Sequence, residues 1–140
     1  MAKASRWKRV PIFARKHQLA CFGKRLEPES YTPGHELTDD LSEAHVITSG
    51  IKGAWNSHRP LLDIDFPAAL VPSTTPGHFH LYLDKELSWD KYEDLLKALG
   101  KAGILESGYV AASIARGYTS VRLPWVKKKA KTIEPAEAVA

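Results

Sequence analysis

Two short runs carry side chains whose type and spacing suit catalysis. Asp63 and Asp65 stand two apart in Leu62-Asp63-Ile64-Asp65-Phe66, and His78 and His80 two apart in His78-Phe79-His80-Leu81-Tyr82-Leu83. Alternation at period two puts each polar pair on one face of a strand, the carboxylates roughly 7 Å apart at the Cα level. Neighbouring carboxylates repel, and a divalent cation such as Mg²⁺ or Mn²⁺ turns that repulsion to use: it takes oxygen ligands from one side and leaves positions open for water and phosphate. Imidazoles alternating along the next strand can contact phosphate, ligate a metal or shuttle protons. A bare D-x-D also serves as two solvent-facing acids, and a lone histidine as a packed residue. What points to a site is that the two runs are neighbours.

The elements that would position them follow from periodicity. Leu61–Phe66 reads as a strand with Leu62, Ile64 and Phe66 inward, ended by Pro67. His78–Asp84 reads as a second, with Phe79, Leu81 and Leu83 on the face opposite the histidines. Between them, Val71–Gly77 is rich in turn formers and reads as a loop. His45–Ser49 is a short β-branched strand bounded by Gly50 and Gly53. Ser88 is placed to cap a helix on which Trp89, Tyr92, Leu95, Leu96 and Leu99 recur at three and four residue steps, stopped by Gly100 or Gly103. Tyr109–Ala115 and Thr119–Trp125 read as a hairpin turning at Arg116-Gly117. Val10–Phe22 suits a short strand or helix before a turn at Gly23, and Glu27–Asp40 a surface loop. The expected fold is α+β, a mostly antiparallel sheet with one main helix packed on one face.

A chain of 140 residues and 15.6 kDa is of single-domain size. One cysteine, Cys21, can build neither an internal disulfide nor a thiolate zinc cage, which fits a reducing compartment, and the cytoplasm is the expectation. No apolar run approaches the roughly 20 residues that span a bilayer, so no membrane partner is expected. Glycine-rich phosphate loops are absent. The net charge of +4 conceals a layout: residues 1–25 carry eight Lys or Arg and no acid, residues 26–106 six basic and fourteen acidic side chains, residues 107–131 six basic and none acidic. Residues 1–25 read as a basic arm, 26–126 as one domain and 127–140 as a flexible tail. Basic ends around an acidic middle suit a polyanion, and Arg6, Lys8, Arg9, Arg15, Lys16, Lys127 and Lys128, with Trp7, Phe13 and Phe22 interleaved, are the candidate nucleic-acid contacts, to DNA or RNA.

The runs Leu62-Asp63-Ile64-Asp65, Thr75-Pro76-Gly77-His78-Phe79-His80-Leu81-Tyr82-Leu83 and Gly103-Ile104-Leu105-Glu106-Ser107-Gly108-Tyr109-Val110-Ala111 resemble the archaeo-eukaryotic primase superfamily, in particular the small primase-polymerase domains of phages and plasmids. The resemblance covers roughly residues 60–125. It implies an RRM-like, primase-like sheet, a D-x-D strand binding two divalent metals, a histidine strand on the phosphates of an incoming nucleoside triphosphate, and a third acid. Carried over by position, Asp63, Asp65 and His80 are the implied catalytic residues, with Asp63 and Asp65 holding Mg²⁺ or Mn²⁺. Glu106 is the nearest candidate for the third metal ligand, one register position away from the pattern. His78 stands where the family tends to have a small residue, and with Arg116 and Arg122 it is the candidate nucleotide- or phosphate-binding group. The implied activity is metal-dependent nucleotidyl transfer.

Two other classes compete. A His-hydrophobic-His strand with a tyrosine on a following helix also suits rolling-circle nucleases, and Tyr92 is on such an element, though its helical spacing with Trp89, Leu95 and Leu96 equally suits core packing. The other alternative is a non-catalytic module, for example a phage-encoded one, that binds nucleic acid or a host protein.

Overall fold

The computed structural model describes residues 7–21 and 36–129 and is α+β, with two antiparallel sheets of three and two strands and two α-helices. It divides into two compact units, Met1–Asp63 and Ile64–Ala140. No helix among the described residues is long and apolar enough to cross a membrane.

In the first unit, strands β1 (His17–Cys21), β2 (Glu36–Thr38) and β3 (Val46–Ile51) form a sheet in the order β2-β1-β3. Short 3₁₀ turns, Trp7–Arg9 and Ile12–Lys16, lead into β1. The buried residues here are Ala14 of the second 3₁₀ turn and Ala20 and His17 of β1. The His17 ring is held through Nδ1, 2.7 Å from the Thr48 carbonyl, and Thr48 returns a hydroxyl bond to Gln18 O at 2.8 Å. The register slips between His17 and Leu19 against β3, a bulge that lets these side-chain bonds form. The basic stretch of residues 1–25 therefore contributes the central strand of a sheet. Of the loop expected over Glu27–Asp40, Glu36–Thr38 is instead β2, paired with β1, while Glu27–His35, like Phe22 and Gly23, lies outside the described residues.

In the second unit, β4 (Ala68–Pro72) and β5 (Phe79–Leu83) form a hairpin in regular register, Ala68 opposite Leu83 and Pro72 opposite Phe79. Thr75-Pro76-Gly77-His78 closes it: His78 N donates to Thr75 O at 3.2 Å, and Pro76 followed by Gly77 at φ +76 is the sequence a type II turn requires. The first half of the loop expected over Val71–Gly77 is thus strand, since Pro72 stands where its missing N–H would face away from β5. Helix α1 (Trp89–Lys101) starts where its cap predicts, with Ser88 Oγ accepting from Lys91 N at 3.5 Å. It ends in a Schellman motif: Gly103 at φ +75 donates to Gly100 O, and Ile104 N to Leu99 O, both at 3.0 Å.

Helix α2 (Ser107–Arg116) replaces the first strand of the expected C-terminal hairpin, and Thr119–Trp125 forms no strand. Val110, Ser113 and Ile114 fall on one helical face, Val110 and Ser113 buried, and Gly117 at φ +79 ends the helix instead of turning a hairpin. Gly100 of α1 meets Val110 of α2, so closely that a Cβ at Gly100 would lie 3.1 Å from Val110 Cγ2. Leu96, 2% exposed, is the largest buried apolar side chain among the described residues of this unit.

A candidate phosphate site in the second unit

A pocket of about 570 Å³ opens in the second unit, its apolar wall built from β5 and α1 with Leu95, Leu99 and Ile104, its polar end from His78, His80, Ser73, Thr75 and Arg122. The hairpin turn supplies the hydroxyls and the segment after α2 supplies the cation. Arg122 Nη2 donates to Thr75 Oγ1 at 3.0 Å and to Ser73 Oγ at 3.3 Å. Its Nε is buried without a partner, and among the described residues no carboxylate is within ion-pair distance of its guanidinium. His80 Nδ1 is likewise buried without a partner. Each such nitrogen costs about 1–3 kcal/mol until a hydrogen-bond partner meets it. Lys128 and Glu106 also line the pocket. Glu106 is the N-cap residue of α2, yet its side chain makes no capping bond, which leaves the carboxylate available to the pocket.

Tyr92, also lining the pocket, is fixed by a 2.7 Å hydrogen bond between its hydroxyl and Thr119 Oγ1 and by an edge-on contact with Trp89, ring centroids 5.8 Å apart. These contacts orient the ring as part of the wall.

The remaining sequence candidates fall elsewhere. Asp63 and Asp65 do not share a strand face, because residues 60–67 form no strand: they find no partner ladder, and Pro60 and Pro67 bracket them. Leu62, read as inward, is 81% exposed, and both aspartates are exposed. Among the described residues no three His, Cys, Asp or Glu side chains gather as a group that could hold a metal. Arg116 ends α2, with its guanidinium 5.5 Å from the Tyr118 ring centroid and outside the pocket lining. Lys8, Arg9, Arg15 and Lys16 are exposed on the 3₁₀ turns of the first unit, Lys127 is exposed next to Lys128, and Arg6 lies outside the described residues.

Of the sequence candidates, then, His78, His80, Glu106, Arg122 and Lys128 line one pocket. Ser73 and Thr75 were hidden inside a turn cluster, and nothing local to them signals a partner arginine 49 and 47 residues away. No family model, curated protein or solved structure matches the chain.

Proposed function

We propose that the chain is a nucleic-acid-binding module that holds a phosphate in the pocket of its second unit, with Arg122 as the central contact and Lys128, His78 and His80 around it. The observation that carries this is the half-buried Arg122 guanidinium, oriented by two hydroxyls and, among the described residues, without a carboxylate partner. A planar fork of donors prepared in this way suits a phosphate oxygen pair, and the chain's own cations do the binding. The exposed cations of the first unit add sequence-independent contacts, and the single cysteine fits a cytoplasmic setting. Fluorescence anisotropy with single-stranded DNA and RNA oligonucleotides tests it. With six phosphates neutralised, the logarithm of affinity should fall with the logarithm of salt at a slope of roughly −4. Absence of affinity at about 50 mM salt removes this reading.

Metal-dependent nucleotidyl transfer, as in a primase-like enzyme using a nucleoside triphosphate, is the second reading. It is favoured by Glu106, His80 and Arg122 lining one pocket, and it lacks a gathered metal-holding group among the described residues. Calorimetric titration with Mn²⁺ decides it: binding that Glu106→Gln abolishes supports the reading, and no heat of binding by the unaltered protein ends it.

A further inference from the structure

The β4–β5 hairpin leaves one edge ready to accept another strand. Ser73 N donates to His78 O and Asp84 N to Pro67 O, so the hydrogen-bonded pairs of the hairpin include 69 with 82 and 71 with 80. Phe79, Leu81 and Leu83 therefore turn their N–H and C=O groups away from β4, and among the described residues none of these groups has a backbone partner. Their side chains share one face and are 56%, 61% and 42% exposed. Natural edges are blunted by proline, lysine or a bulge, and a two-stranded sheet is marginal unless covered. The outer edge of β4 is blunted by Pro72, whereas β5 carries none of these devices.

We propose that β5 pairs antiparallel with β5 of a second copy of this chain, making a four-stranded sheet in the order β4-β5-β5-β4 about a two-fold axis through Leu81. Antiparallel pairing of a strand with itself is self-complementary and closes after two copies, as an isologous interface must. In this register Phe79 is opposite Leu83 and Leu81 opposite Leu81 as hydrogen-bonded pairs, so every outward N–H and C=O of the three residues is met. Their side chains from both copies join into one apolar strip. The intervening pairs are the close ones, and they set His80 opposite Tyr82 and, at both ends, the imidazole of His78 opposite the carboxylate of Asp84. Slipping two residues one way puts Phe79 opposite Lys85; slipping two the other way puts Leu83 opposite Gly77 and stacks His80 on His80. Only the register centred on Leu81 keeps the full apolar strip together with the imidazole–carboxylate pairs.

Sedimentation equilibrium of the full chain from about 1 to about 100 µM is the first test, with a dimer expected within that range. Leu81→Lys sets two ammonium groups face to face at the axis and should give a monomer with an unchanged circular dichroism spectrum. Asp84→Lys should weaken the dimer, and adding His78→Glu should restore it, because only this register brings the two positions together. Hydrogen exchange gives an independent readout: the amides of Phe79, Leu81 and Leu83 should be protected in the dimer and exposed on dilution to monomer. A chain that stays monomeric at about 100 µM, or a dimer that survives Leu81→Lys while these amides exchange freely, overturns the proposal. Protected amides in a monomer overturn it too, by assigning the edge to another segment of the same chain.

Discussion

Replacing Arg122 by methionine separates binding from stability. Methionine keeps the apolar stem and removes the guanidinium. The loss is two hydrogen bonds to the hydroxyls, at 3.0 and 3.3 Å, of which the longer is weak, and Ser73 Oγ keeps the bond it accepts from Thr75 N at 3.2 Å. Charged hydrogen bonds of good geometry contribute about 1.5–3 kcal/mol each. The gain is removal of a half-buried charge and of the unpartnered Nε, itself about 1–3 kcal/mol. The terms oppose one another at similar size, so the unliganded protein should change in stability by less than about 1 kcal/mol. Binding has no such compensation. Losing one charge-assisted phosphate contact of about 1.5–3 kcal/mol weakens affinity roughly 10- to 150-fold and lowers the single-strand salt slope by about 0.7. Urea unfolding and oligonucleotide anisotropy at about 50 mM salt measure the two effects separately. If Arg122→Met lost more than about 3 kcal/mol of stability with affinity intact, Arg122 would be a clasp tying the hairpin turn to the segment after α2, and the phosphate-site reasoning would be refuted.

The other expectations are simpler to state. Leu96→Ala should cost about 2–5 kcal/mol in urea unfolding, since the residue is 2% exposed and, among the described residues, no larger apolar side chain of its unit is buried. Gly100→Ala should bring little of the roughly 1 kcal/mol helix-propensity gain, because its Cβ meets Val110 Cγ2 at 3.1 Å, and Gly100→Val should lose about 1–3 kcal/mol by the same measurement. Asp39 should titrate below the ordinary carboxylate range, held there by a hydrogen bond and the charge of Lys52, 3.0 Å away, and Lys52→Met should bring it back towards that range by NMR. A depressed folded value stabilises above the unfolded one and is lost as pH falls through it; at this exposed pair the carboxyl titration itself is the readout. Neutralising Lys8, Arg9, Arg15 and Lys16 together should make the oligonucleotide salt slope shallower by up to about 3 without unfolding the first unit, because all four are exposed.

The sequence was most readable where periodicity and punctuation agreed. Helix α1 follows its Ser88 cap and its leucine spacing, and β5 and β3 fall within a residue or two of the alternating and β-branched runs that announced them. The α+β class followed from these elements; antiparallel pairing is also present, but between β1, β2 and β3 and between β4 and β5, and not in the C-terminal hairpin that suggested it, whose first strand is helix α2. The D-x-D strand failed for a physical reason: alternation describes what a strand would bury, whereas a ladder exists only if another segment supplies donors and acceptors, and among the described residues none pairs with the backbone of residues 61–66. Helix α2 was hidden because Tyr109, Val110 and Ile114 favour strands and Arg116-Gly117 imitates a hairpin turn. The alanines at 111, 112 and 115, and Gly117 as a left-handed terminator, are the residues that carry the helix. The ionisable residues lining the pocket stand out in the sequence by their type and spacing, while Ser73 and Thr75 owe their place to a contact across almost fifty residues that no local pattern encodes.

The central position of β1 bears on how the chain can be made. Each half of the β4–β5 hairpin meets its partner within about fifteen residues, as the register from Ala68 to Leu83 shows, and α1 closes on itself. β1, by contrast, is synthesised before either neighbour, and its contact from His17 to Ile51 waits for the rest of the sheet to follow. On a ribosome β1 thus waits for neighbours that emerge after it, while the second unit's hairpin can zip almost as it emerges. Refolding followed by pulse-labelled exchange should register this as earlier protection at Ala69 and Val71 than at Leu19 and Ala20.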